Sequence, residues 1–146
     1  MDYRKLAIDE LRNIEQLRAA EKVCRDRLLE LNESLKSLKT STPQSDPVRG
    51  GGSQTEERWL NLIAAKMDKE RRLKSIQRRL RRFNTAWATL PERDKMVLQI
   101  WYIDSGNYDR AECVVNREHC GRATAFRWRD EALINFARAF FGAVVA

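Results

Sequence analysis

The chain has 146 residues, 42% apolar and 34% charged, with a formal charge of +7 and a pI of about 9.7. That length holds about one domain, or a long helical element with a small domain attached, and the composition fits neither a membrane protein nor a disordered tail. No apolar run approaches the ~18 residues needed to span a bilayer, MDYRKLAIDEL has no signal-peptide core, and the positive excess favours a polyanionic partner. The expected location is the cytoplasm, with no membrane partner.

The first segment, from about Asp2 to Lys39, contains neither Gly nor Pro. Ile14, Leu17, Cys24, Leu28, Leu31, Leu35 and Leu38 recur at alternating spacings of three and four, with Glu21 in one slot. This is the pattern of a long amphipathic helix of coiled-coil type. Residues 40–55, TSTPQSDPVRGGGSQT, hold two of the three prolines and three consecutive glycines, and read as a linker that interrupts helix. A second long helix is expected from Thr55 or Glu56. Its apolar stripe is Trp59, Leu62, Ile63, Met67, Leu73, Ile76, Leu80, Phe83, Trp87 and Leu90. Two such helices joined by a linker most simply fold back as an antiparallel hairpin. Within the second helix, Lys66 to Arg82 carry nine Lys or Arg against two acids, an excess equal to that of the whole chain. A solvated basic face and a phosphate-tracking surface are both open readings. Arg78, Arg79, Arg81 and Arg82, closest in sequence to the C-terminal unit, are the candidate phosphate contacts.

At LPER the pattern changes. Pro91 at a first helical position followed by Glu92 opens a new helix, with Met96, Val97, Ile100, Trp101 and Ile103 as its apolar face. Ser105, Gly106 and Asn107 are turn residues. Ala111, Val114 and Val115 mark a short helix, and Gly121 precedes a last one bearing Phe126, Leu133, Phe136, Ala137 and Phe140. The predicted fold is all-α: residues 1–89 form a helical hairpin with its linker, and residues 90–146 a helix-turn-helix domain. In a helix-turn-helix the first turns of the last helix meet base edges and phosphates. The candidate DNA-binding residues are Arg122, Ala123, Thr124, Arg127, Trp128, Arg129 and Arg117, with Phe126, Leu133 and Phe136 facing the core. Arg129 has two open roles, phosphate contact or brace. The four tryptophans read as core or hairpin anchors, Trp128 alone being placed where it could lean on DNA.

LPERDKMVLQIWYID followed by GRATAFRWRDEALINFARAFFG resembles the C-terminal domain of phage and prophage regulators of the ArpU/RinA type, a domain similar to the fourth region of bacterial sigma factors. MDYRKLAIDELRNI and TPQSDPVRGGGSQTEERWLNLIA resemble the opening and middle of the same proteins, so the resemblance runs through most of the chain in order. It implies promoter DNA as the partner and control of late or packaging genes. Gly121 and Ala123 stand where such proteins carry hydroxyl residues, which removes a side-chain cap and one phosphate contact.

Other chemistry finds little support. Cys113, His119 and Cys120 lack paired zinc-ligand spacing, and Cys24 is remote in sequence. The odd cysteine count does not suggest a disulfide framework. One histidine with no Ser-His-Asp or paired-carboxylate context gives a nucleophilic enzyme little to work with, and Gly50, Gly51 and Gly52 lack the Lys-Ser/Thr of a P-loop. No enzyme activity, metal or cofactor is expected. The sequence thus points to a sequence-specific DNA-binding regulator, with the hairpin either a surface for homodimer formation or paired within one chain to leave a monomer acting like a detached sigma region. The alternative is a coiled-coil interaction protein acting on RNA polymerase or another regulator without specific DNA binding.

Overall fold

The structure is a computed structural model that describes residues 1–40 and 51–142. These form five α-helices, one π-helical turn and no strand: α1 (Tyr3–Thr40), α2 (Gly51–Ala88), α3 (Glu92–Leu98), the π turn (Gln99–Ile103), α4 (Arg110–Glu118) and α5 (Arg122–Phe141). The fold of the described residues is all-α.

The Asp2 carboxylate starts α1 by accepting from the backbone N–H groups of Arg4 and Lys5, at 3.1 and 3.2 Å, which satisfies donors a helix start leaves unpaired. Beyond it the stripe from Ile14 to Leu38 is buried or half-buried, and Glu21 in its slot is half-buried beside Arg25. Helix α2 begins earlier than expected, at Gly51 rather than Thr55 or Glu56. Glycine costs a helix about 1 kcal/mol relative to alanine, but unlike proline it keeps its N–H and clashes with nothing. Thr40 likewise closes α1 instead of opening the linker. The remainder of the expected linker, residues 41–50, lies outside the described residues.

Two compact units are present: Met1–Arg18 together with the chain from Arg79 onward, and Ala19–Arg78. They do not follow a division at residue 89, because the start of α1 and the end of α2 both pack with the C-terminal helices. Tyr3 meets Phe141 with ring centroids 5.4 Å apart, and Phe83 meets Phe136 at the same distance. Ala7, Leu11 and Ile14 of α1 are buried, as are Leu80, Phe83 and Ala86 of α2 and Leu133, Phe136, Ala137 and Phe140 of α5. A second apolar cluster joins Val97 and Ile100 to Val114 of α4 and Ala125 of α5. Asp94, buried in the first turn of α3, accepts from Asn135 Nδ2 at 2.9 Å and ties α3 to α5.

In the unit Ala19–Arg78, the buried residues are Cys24, Leu31 and Ile76. Trp59 and Met67, expected in the buried stripe of α2, are 39% and 52% exposed. They flank an open groove of about 620 Å³ lined also by Leu29, Leu35 and Ile63. At 100° per residue Met67 lies about 120° or more round the helix from Leu62, Leu73 and Ile76, so a stripe centred on them leaves it outside; Trp59 shares their side, and the helical period does not explain its exposure.

Phe83 is the ring on which unit one turns, 1% exposed and stacked on Trp87. Phe83→Ala should cost about 3–5 kcal/mol, read as a lowered urea midpoint with an unchanged slope. A loss below 1 kcal/mol would show that the aromatic seam is not what stabilises this unit.

Candidate nucleic-acid interface

Helix α4 is nine residues long and begins at a side-chain cap. Asp109 Oδ1 accepts from the Glu112 N–H at 3.2 Å. It ends at His119, whose φ of 53° is left-handed and reverses the chain. Cys120 and Gly121 complete the turn, and α5 starts at Arg122 with Gly121 in the cap position and no side chain capping it. The missing hydroxyl therefore leaves the first N–H groups of α5 without a side-chain acceptor. The opposite end of α5 is closed twice. Gly142, at φ 65°, returns its N–H to the Arg138 carbonyl, and Arg82 Nε and Nη2 both donate to the Phe140 carbonyl at 3.3 Å. A left-handed closing glycine and a cation on the last carbonyls are what a helix C-terminus favours.

The helical period sorts the candidates on α5. Ala125, Ala132, Leu133 and Phe136 are buried, so Ala123, Arg127, Glu131 and Arg138 face outward. Arg122 and Arg127 keep 56% and 65% of their side-chain surface. Arg117 near the end of α4 is exposed, with no ion-pair partner among the described residues. Thr124 is half-buried. Trp128 packs on the Val97–Val114 cluster beneath the Arg93 guanidinium, 4.6 Å from its ring. Arg129 lies over Trp101 and Phe126 at 5.1 and 5.0 Å and bonds Asp130 through two nitrogens. Arg129 thus acts as a brace, and Trp128 belongs to the packing. Burial raises the pKa of the nearby Tyr102 phenol, while Arg129 and Arg12 pull it the other way.

Arg93 was not singled out from the sequence. The fold brings it from α3 to α5, where Arg93 Nη2 lies 3.5 Å from Glu131 and Arg127 Nε lies 3.9 Å from the same carboxylate. Only the packing of α3 on α5 joins them. Arg122 Nη1 pairs with Asp109 Oδ2 at 2.9 Å. Most candidate cations at this face therefore already have an acid beside them. Residues 90–142 in fact hold eight Lys or Arg against eight Asp or Glu.

The four arginines at the end of α2 divide. Arg79 pairs with Glu10 at 3.3 Å, and Arg82 is committed to α5. Arg78 and Arg81 are exposed, with no acidic partner among the described residues. The three cysteines are free thiols, and no group of three or more metal-ligating side chains occurs among the described residues. Nor, among those residues, is any helix long and apolar enough to cross a membrane.

The described residues define an all-α protein in which a short helix and a three-residue turn present an arginine-bearing helix face. The chain belongs to the family of proteins of unknown function designated DUF1492, whose model matches residues 34–136. No curated protein and no solved structure matches it.

Asp109 offers a direct test of the turn. The Glu112 N–H, and after it the Arg122 guanidinium, hold its pKa below the ordinary aspartate value. A lowered folded-state pKa contributes stability above the unfolded value, which is lost as pH falls through the folded one. The thermal midpoint should therefore drop on acidification below the usual aspartate range. Asp109→Asn keeps a capping oxygen but removes the titration, and should flatten that drop. Parallel acid curves for the two chains would mean the Asp109 interactions contribute nothing.

Proposed function

We propose that the protein is a sequence-specific DNA-binding regulator of phage or mobile-element genes, reading promoter DNA with the first turns of α5. The observation that carries this reading is the face of α5. Arg127 and the small Ala123 point outward beside Arg122, while Ala125, Leu133 and Phe136 hold the helix from behind. A small residue lets a backbone approach a groove, and an exposed arginine can bond guanine or phosphate. The order of a short helix, a three-residue turn and a longer helix fits a helix-turn-helix and supports this reading, and the resemblance to ArpU/RinA-type regulators and to the fourth sigma region supports a promoter target among late or packaging genes. In this reading α1 and α2 form the antiparallel hairpin and supply a dimer surface.

The even balance of cations and acids in residues 90–142 favours one second reading, in which this domain docks on RNA polymerase rather than on specific DNA. Selection of bound duplexes from a random library, followed by anisotropy titration, separates the two. The proposal expects an enriched motif and, for Arg122→Ala and Arg127→Ala, a loss of about 10- to 100-fold each at that motif. No enriched motif, together with retention of core polymerase in a pull-down, would favour the second reading.

A further inference from the structure

The positive excess of this chain does not sit on the helix that would read DNA. It lies between Lys66 and Arg82, and within the unit Ala19–Arg78 the structure shows which of those charges are free. Lys66 lies 3.9 Å from Glu70 on its own helix. Arg71, Arg72, Lys74 and Arg78 are exposed and make no ion pair with any described residue. Arg71, Lys74 and Arg78 stand at i, i+3 and i+7, on one side of α2. That side faces away from Leu73 and Ile76, which are half-buried and buried. Three cations are thus spread over about 10 Å of helix, with Asp68 on the flank and Glu70 turned to Lys66.

Such a row has a cost. Like charges three and four residues apart destabilise a helix by a few tenths of a kcal/mol per pair, and the acids at helical spacing, Asp68 before Arg71 and Glu70 before Lys74, form no ion pair with the row. A row of this length faces about three phosphates of one strand, at 3.4 Å of axis each. We infer that the Arg71–Lys74–Arg78 face of α2 is a polyanion-binding surface for the sugar-phosphate backbone of nucleic acid, acting without regard to sequence. It needs no reading by α5 and stands whether or not that reading holds. An anionic lipid surface fits less well. The apolar residues of the same helix, Trp59, Leu60, Ile63 and Met67, precede the cations along the axis. An interfacial helix instead lays an apolar face alongside its basic one.

The test uses the full chain and a labelled duplex of arbitrary sequence, titrated by anisotropy from 50 to 200 mM salt. Replacing Arg71, Lys74 and Arg78 together by Ala should lower the slope of log K against log salt by about 2 to 3. Across that salt range the wild-type affinity then falls about 40-fold more than that of the variant. Arg71→Lys with Arg78→Lys should keep the wild-type slope, as a backbone contact asks for charge rather than shape. Alanine favours helix, and far-UV circular dichroism checks that the triple variant is folded. A folded variant with an unchanged slope would overturn the inference. So would unchanged duplex binding accompanied by lost binding to phosphatidylserine vesicles, which would assign the face to lipid. Arg122→Ala with Arg127→Ala should leave the slope on arbitrary DNA nearly unchanged. Loss of a preferred motif in that variant bears on α5 alone.

Discussion

Phe136 is the side chain on which the candidate interface depends. It is fully buried, with Phe83 at 5.4 Å, Phe140 at 5.5 Å and Trp87 at 6.5 Å between ring centroids. Aromatic rings of this size dominate the energetics of a small core, and their packing geometry is specific. Fixing Phe136 inward fixes the rotation of α5 about its axis. Every other assignment on that helix then follows from 100° per residue: Ala125 and Leu133 go in, and Ala123, Arg127 and Glu131 go out. Arg82 adds to the same restraint, stacking 4.4 Å from the Phe140 ring while its nitrogens hold the last carbonyls of α5. Together these contacts keep α5 from rolling about its axis.

The electrostatics of the interface have a different character. Glu131 lies between Arg93 and Arg127, and Asp109 holds Arg122. Exposed ion pairs like these add little to stability. Their effect is to keep long arginine side chains in a few orientations and to lower their attraction for an arbitrary phosphate. A face whose charges are already paired binds poorly to any polyanion that cannot offer better partners. That bias favours discrimination over affinity, the usual division between base contacts and backbone contacts. The free cations of α2 carry the opposite bias. No carboxylate among the described residues forms an ion pair with Arg71, Lys74 or Arg78, so they respond mainly to charge density.

The helices were legible because their signals are long. Thirty-odd residues without Gly or Pro, with an apolar residue every third or fourth place, leave few alternatives to α1. The inward residues of α5 could be named from the same period. The reading failed where a local preference outweighed a weak penalty, or where a contact joins distant residues. Three glycines suggested an end to helix, yet Gly51 and Gly52 lie inside α2, because glycine disfavours helix without forbidding it. Met67 looked like core by type, but its position round the helix places it off the stripe set by Leu73 and Ile76. The roles of Arg79, Arg82 and Trp128 were invisible for a different reason. Each depends on a partner 12 or more residues away, and spacing carries no record of which acid, carbonyl or guanidinium will arrive. Arg93 is the converse case, unremarkable in the polar run PERDK until α3 packs on α5. The Asp109–Arg122 pair could have been anticipated, since a capping aspartate before one helix and an arginine opening the next come together when a three-residue turn joins them.

The turn between α4 and α5 is held although no side chain caps α5. His119 takes the left-handed conformation with a side chain attached, which is uncommon for any residue but glycine, though histidine adopts it more readily than most. It therefore carries a small strain that the packing around it must hold. Cys113 and Cys120, on either side of the turn, both lie against the Val97–Val114 cluster, and Asp109 reaches from the start of α4 to the start of α5. The chain reversal is thus secured by burial on one side and an ion pair on the other. The uncapped N–H groups at the start of α5 are left for solvent or for an anion, and a helix N-terminus with free donors favours negative charge. A hydroxyl at position 121 would close that end. Glycine leaves it open, so a phosphate approaching Arg122 would meet the backbone of α5 as well as its side chains.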